Sequence, residues 1–262
     1  MMRADSGGFG ARVAPQRFIA GTAKIGAMDA AAEYRVRVVE VIHRGEHAVS
    51  VRFERPESFS YLPGQWMFVT VERDGEYLTR HLTISSSPTE PLLEVTKGMT
   101  GHPFAEAFAA LVPDDKVSIK GPHGRFTLEG GDEDVVFISG GIGVTPLRSM
   151  ARFATDSALL LRILLLYSAR IEDDLLFLGE FEEMQQKNPL FTRRVTLTRS
   201  GSEWTGLTGR IDRAFLEQQI PDVRGRGFYV SGPAAMVDAI TATLREMGVS
   251  GEQIRREIFT GY

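Results

Sequence analysis

The chain of 262 residues has room for two ordinary domains, and 43% hydrophobic with 24% charged content describes a folded globular protein rather than a disordered one. A formal net charge of −4 lacks the basic footprint of a nucleic-acid binder. The absence of cysteine excludes disulfides and any cysteine-ligated cluster or zinc site in this sequence, so electrons moved here must find a metal cluster on another polypeptide.

Residues 1–33, rich in Gly and Ala with scattered Arg, lack the compact apolar core of a signal peptide and are expected to be a disordered tail, with Met28 as an alternative start. From Tyr34 to about Leu128 the chain reads as short strands broken by turns: 34–42, 49–54, 66–71, 92–96 and 116–120, with turn signals such as Leu62-Pro63-Gly64 between them. A further strand carries Arg80, His81, Leu82 and Thr83, followed by Ser85, Ser86 and Ser87. The guanidinium fork of Arg80 suits a pyrophosphate, and the hydroxyls suit a polar ring edge. One helix over 102–111, with Phe104, Phe108 and Leu111 on a face, would plug the end of a small antiparallel barrel. Gly130 and Gly131, before Asp132-Glu133-Asp134, mark the expected domain boundary.

At residues 134–153 the pattern changes. Val135 to Ile138 is a β-branched run suited to a strand buried on both faces, Gly140, Gly141 and Gly143 permit a tight turn, and Thr145-Pro146 opens a helix. Strand, glycine turn and helix N-terminus aim bare N–H groups at one point, a site for phosphate. Strands follow at 161–167, 194–199 and 227–230, with helices predicted over 173–187 and through Met236, Val237, Ile240 and Leu244. This alternation implies a parallel sheet with helices on both faces, binding its ligand beyond the strands' carboxyl ends. Gly140 to Thr145, Ser168 to Arg170, Arg199, and Ser231 to Pro233 all follow strand ends. Arg170 stands where a nucleotide ribose would lie. A 2′-phosphate on it would mean NADPH, whereas Glu172 or Asp173 would hold the free 2′-hydroxyl of NADH.

No apolar run reaches the ~18–20 residues that cross a bilayer, and a cytoplasmic location without membrane insertion is expected. His43, His47, His81, His102 and His123 show no helix-spaced metal pair, so no metal site is expected.

Taken in order, these motifs resemble the ferredoxin–NADP⁺ reductase superfamily, over residues 34–262. Pro63-Gly64-Gln65, the Arg-x-aromatic-Ser/Thr signature standing as Arg80-His81-Leu82-Thr83, Gly121 to Phe126, the turn Gly140 to Pro146, Ser231-Gly232-Pro233 and Glu257-Ile258-Phe259 carry the likeness. It implies a six-stranded antiparallel flavin-binding β-barrel at 34–131 and an α/β nucleotide-binding domain at 132–262 whose tail covers the flavin. By the resemblance, Arg80 binds the flavin phosphates, Thr83 hydrogen-bonds the isoalloxazine near N5, and His81, Leu82, Ser85, Ser86 and Thr96 belong to the same site. Gly140, Gly141, Gly143, Thr145 and Pro146 hold the NAD(P)H pyrophosphate, with Ser168, Arg170, Arg199, Ser231, Gly232 and Pro233 as further cofactor-binding residues. Phe259 or Tyr262 covers the flavin face. Thr83, Ser231, Glu257 and Phe259 form the implied catalytic set, and hydride passes from nicotinamide C4 to flavin N5.

Three departures stand out. Leu82 replaces the usual stacking aromatic, Ser231 replaces a cysteine, and Gly101-His102-Pro103-Phe104 lacks the diphosphate Ser, for which Lys97 and Thr100 would compensate. The resemblance implies FAD, with FMN as the alternative, and electron exchange with ferredoxin, another carrier protein or an oxygenase component. A reductase of free flavin and a non-catalytic electron-transfer subunit are the rival readings.

Overall fold

The structure, a computed structural model, describes residues 32–128 and 132–259. The expected tail through residue 31, the Met28 start, Gly130, Gly131 and Tyr262 lie outside them.

The first sheet comprises β1 (Glu33–Arg44), β2 (Ala48–Phe53), β3 (Trp66–Arg73), β4 (Glu76–Thr83), β5 (Leu93–Gly98) and β6 (Lys116–His123), in the order β4-β3-β6-β1-β2-β5. All its pairings are antiparallel. It curls until its edges meet at one bridge, Ile84 to Val95, so it is a half-barrel. Alternation decides the fold: Val49, Val51, Phe53, Met67, Val69 and Val71 point into one core. The helix α1 (Pro103–Ala109) closes one end, with Phe104 and Phe108 stacked at 5.7 Å. Burying each such ring is worth roughly 1.5–3 kcal/mol over leaving it exposed.

The second sheet is parallel, in the order β10-β9-β8-β7-β11-β12. Its strands are β7 (Asp134–Gly140), β8 (Arg162–Ala169), β9 (Phe191–Leu197), β10 (Leu207–Thr208), β11 (Gly227–Pro233) and β12 (Ile254–Phe259). Helices α2 (Val144–Asp156) and α3 (Leu178–Lys187) cover one face, where Leu147, Met150, Phe181 and Met184 meet Phe137 and Leu165. On the other face, α4 (Arg213–Gln219) and α5 (Ala234–Glu246) bury Phe215, Leu216, Val237 and Ile240 against Val136 and Val230.

Three local expectations change. The predicted helix over 173–187 starts only at Leu178, because Phe177 is in the left-handed region (φ 61°) and the Leu176 amide donates to the Tyr167 hydroxyl at 3.0 Å. The strand predicted at 194–199 runs from Phe191 to Leu197, leaving Arg199 in the loop beyond. Residues 254–259, read in the sequence only as a terminal motif, form an edge strand paired to β11.

Candidate active site

One cleft lies where the two sheets meet. Trp66, Arg80, His81, Leu82, Thr83, Thr96, Lys97, Thr100, His102 and Phe104 line it from the half-barrel, and Ile142, Glu257, Ile258 and Phe259 from the parallel sheet. Gly101 sits between two of these lining residues, with a positive φ of 70° and open space where a Cβ would stand. Ile142 belongs to the glycine turn, so this turn reaches the cleft itself; its Cδ1 stands 3.8 Å from where a Cβ on Gly98 would be.

The cleft is built to take an anion. Arg80 is exposed and donates only to the Thr79 carbonyl, at 2.8 Å, and neither it nor Lys97 joins an ion pair among the described residues. Burial first, and then the nearby Arg80 charge, push Lys97 below its ordinary value. Two like charges near each other, neither in an ion pair, are unfavourable until a negative group joins them. The Thr83 hydroxyl has no side-chain hydrogen bond among the described residues, and Thr100 Oγ1 is buried without a partner. These open donors and cations fit a flavin with its phosphates.

Across the cleft, Glu257 pairs in register with Ser231, and Phe259 with Pro233. Burial pushes the Glu257 carboxyl above the usual carboxylate range. Ser231 Oγ is buried with no partner among the described residues, as is Oγ of Ser139, its register neighbour on the adjacent strand.

The glycine turn shows why three glycines stand there. Gly141 has φ 54° and open space where a Cβ would be, a bare cradle beside the N-terminus of α2. Gly143 needs its missing Cβ for a different reason: that atom would lie 2.6 Å from both Gly232 Cα and the Ser231 carbonyl oxygen. Gly140 packs against Met236. Thr145 is buried and its hydroxyl donates to the Ile142 carbonyl at 3.0 Å, so it holds the turn's shape instead of facing a ligand. Pro146 is likewise buried in the first turn of α2. Arg170 and Arg199 project beyond adjacent strands, both exposed and joined by a backbone bond of 2.8 Å from the Arg199 amide to the Arg170 carbonyl. Neither is in an ion pair among the described residues. Ser168, next to the last residue of β8, and Gly232-Pro233, the end of β11, lie at the carboxyl ends of their strands.

Two expected flavin residues do not reach the cleft. After Thr83 the chain leaves β4 and runs along the edge of β5, bridging Ile84 to Val95. There Ser85 donates to Glu94 at 3.0 Å, and Ser86 shares a hydrogen bond with the Tyr61 hydroxyl at 3.0 Å. Thr96 stays in the cleft wall, but its hydroxyl turns inward to Ser50 at 2.7 Å. Leu82 is at once part of the half-barrel core and of the cleft floor. The aromatic surface that position 82 does not supply comes from Trp66, register partner of Thr83, which stacks on His123 at 4.6 Å. Sequence reasoning missed Trp66; the signal was its place directly after Pro63-Gly64-Gln65 in a strand pairing with 80–83.

Comparison with known proteins agrees with this geometry. Residues 34–128 match the oxidoreductase FAD-binding domain and residues 137–242 the oxidoreductase NAD-binding domain. The chain is 31% identical over 235 residues to the glycine betaine monooxygenase reductase subunit of Chromohalobacter salexigens, covering 86% of this chain and 64% of that protein. It thus spans less than two-thirds of that relative's length. To ferredoxin–NADP reductase B of Sorangium cellulosum it is 28% identical, covering 86% of this chain and 96% of that protein. Among crystal structures, the Amycolatopsis reductase GcoB superposes with a TM-score of 0.79 at 26% identity, covering 92% of this chain and 74% of that one. A Neisseria gonorrhoeae ferredoxin NADP⁺ reductase holding FAD and NADP shares the fold, with a TM-score of 0.75 at 19% identity, covering 86% and 98%. The chain belongs to the ferredoxin–NADP reductase-like superfamily, an oxidoreductase FAD-binding domain followed by an oxidoreductase NAD-binding domain.

Proposed function

We propose that this protein is the reductase member of an electron-transfer pair, drawing on NAD(P)H and supplying a separate carrier protein or oxygenase component. What carries the reading is that Thr83 and the Arg80–Lys97 cation pair come from one sheet, Glu257 and Phe259 from the other, and all line one cleft. When bound, FAD supplies two-electron acceptance from a nicotinamide and one-electron release, which an obligate one-electron carrier requires. The names of the relatives, an oxygenase reductase subunit and a ferredoxin reductase, support a partner of this kind.

The chain's own residues divide the work. Arg80 and Lys97 hold phosphate charge, Thr83 offers a hydroxyl to a polar ring edge, and Trp66 gives the cleft an aromatic wall. Glu257, kept protonated to higher pH than an ordinary carboxylate, can hold a proton or donate a hydrogen bond within the cleft. Phe259 covers the opening and excludes water. The turn at Gly141 to Thr145 orients the nucleotide by its phosphates.

The test is an absorption spectrum of the desalted protein before and after anaerobic NADPH or NADH. Flavin bands near ~450 nm that bleach support the reading. A colourless protein that reduces added FMN or riboflavin as well as FAD would replace it with a free-flavin reductase. Bound flavin that no nucleotide bleaches would leave only an electron-transfer subunit. In the same titration Arg170→Ala is expected to raise the KM for NADPH about tenfold more than that for NADH, the loss of one charge-assisted contact to a 2′-phosphate. Equal effects on both would remove Arg170 from that role.

A further inference from the structure

Arg148 lies in the second turn of α2, only 1% exposed, among Leu147, Met150 and Ala151 of the apolar core. Its guanidinium is saturated. Nε donates to Glu180 at 2.8 Å, one terminal nitrogen to the Ser85 carbonyl at 3.0 Å and to Glu90, and the other to Glu90 at 2.8 Å and to Glu180. All five donors of the fork are used. Next to it, Ser149 Oγ donates to the Ser86 carbonyl at 2.6 Å. A second connection returns through Glu180, which Arg44 of β1 approaches at 3.1 Å, while Arg44 Nε donates to Ser50 at 2.6 Å.

The connectivity runs between two parts of the site. Glu90, Ser85 and Ser86 follow Thr83 on the segment leaving β4. Arg148 and Ser149 follow Thr145 on the helix that begins at the glycine turn. One rigid helix therefore links the nucleotide turn to the strand end that carries Thr83.

Stability alone does not account for such an arrangement. A buried ion cluster is generally no better for stability than apolar side chains of the same volume, and its best-attested use is to fix one arrangement among several. Leu147 and Met150 show that this helix face accepts apolar packing. Burial opposes charge on Arg148, yet its bond to Glu90 and the fields of Glu180 and Glu90 outweigh it and hold the guanidinium firmly protonated. The fork cannot let go by losing its proton.

We propose that Arg148 is a positioning residue that sets the distance and angle between the nucleotide held at the glycine turn and the ring held at Thr83. The inference rests on NAD(P)H reducing the bound flavin and adds to it the element that registers donor against acceptor. Hydride transfer is steep in distance, and a misplacement of about 1 Å can lower a rate on the order of a hundredfold.

The test uses the flavin-loaded full chain, Glu90→Gln, and a combined Arg148→Met, Glu90→Gln, Glu180→Gln variant that removes the buried charges together. Stopped-flow bleaching of the flavin by NADPH or NADH is expected to slow at least about tenfold in the combined variant, the scale of a positioning loss. Flavin content, and reoxidation by an artificial one-electron acceptor, should stay within about twofold, since neither needs the nucleotide in register. Independently of turnover, NADP⁺ added to the oxidised parent should raise amide-exchange protection over residues 84–90, and this response should vanish in the variant. Bleaching at the parental rate, or slowing only in step with lost flavin, would overturn the proposal. So would an exchange response equal to the parent's. Should the combined variant fail to fold, Glu90→Gln decides by the same criteria. A parent whose flavin does not bleach at all would count against the NAD(P)H reading instead, and the exchange arm would then decide the coupling alone.

Discussion

Arg80→Ala is expected to purify with flavin retained at least about tenfold more weakly, the value of one charge-assisted contact of roughly 1.5–3 kcal/mol. The argument is electrostatic. Arg80 makes one side-chain hydrogen bond, to its neighbour's carbonyl 2.8 Å away, and stands 5.9 Å from the Phe104 ring, while its charge acts on Lys97, already disfavoured by burial. Removing Arg80 relieves that repulsion, so the empty protein should fold as well as the parent or slightly better. The loss should show only where an anion is bound. Flavin-to-protein absorbance after desalting is the measurement. A variant that stays fully yellow would place the phosphates elsewhere in the cleft.

Gly143→Ala should do more harm than its size suggests. Gly143 has an ordinary helical backbone (φ −58°), so strain in its own torsions is not the issue. Its added carbon would stand 2.6 Å from Gly232 Cα and the Ser231 carbonyl, and 2.7 Å from the Gly232 amide nitrogen. These are backbone atoms of a central strand, which cannot rotate aside. Either the turn lifts from β11 or β11 yields, and overpacking of this kind costs about 1–3 kcal/mol. Lifting the turn also carries the nucleotide away from Ser231 and Glu257. We expect a drop of several degrees in Tm together with a fall in kcat on the order of a hundredfold. Thermal melts and steady-state rates with an artificial acceptor would check both, and a parental rate would mean that the turn does not set the nucleotide's position.

Much of this could be read before the fold was known, and the misses share a cause. The strand Ala48–Phe53 is legible because its apolar Val49, Val51 and Phe53 alternate with Ser50 and Arg52, and the glycine turn advertises itself through residue types that a tight turn needs. Tertiary facts were hidden. Ser85 and Ser86 sit beside the Arg80–Thr83 motif in sequence, yet the chain crosses to the edge of β5 at Ile84, and Glu94 and Tyr61 engage their hydroxyls. Nothing in the sequence singles out Arg148, because its burial depends on Glu90 arriving from the loop between β4 and β5. Ile254 to Phe259 carries Arg255, Arg256 and Glu257, a composition at odds with a buried strand but suited to the edge position it holds. Trp66 became visible only through its register with Thr83.

The chain has two tryptophans, and the fold puts them in different halves. Trp66 walls the cleft, whereas Trp204 donates its indole N–H to the Leu207 carbonyl at 2.9 Å beside the far edge of the parallel sheet. Excitation energy passes from an indole to a yellow chromophore with an efficiency that falls steeply with separation. The molecule therefore carries its own optical gauge: a chromophore filling the cleft lies against Trp66 and should quench it more strongly than Trp204, which is no part of the cleft wall.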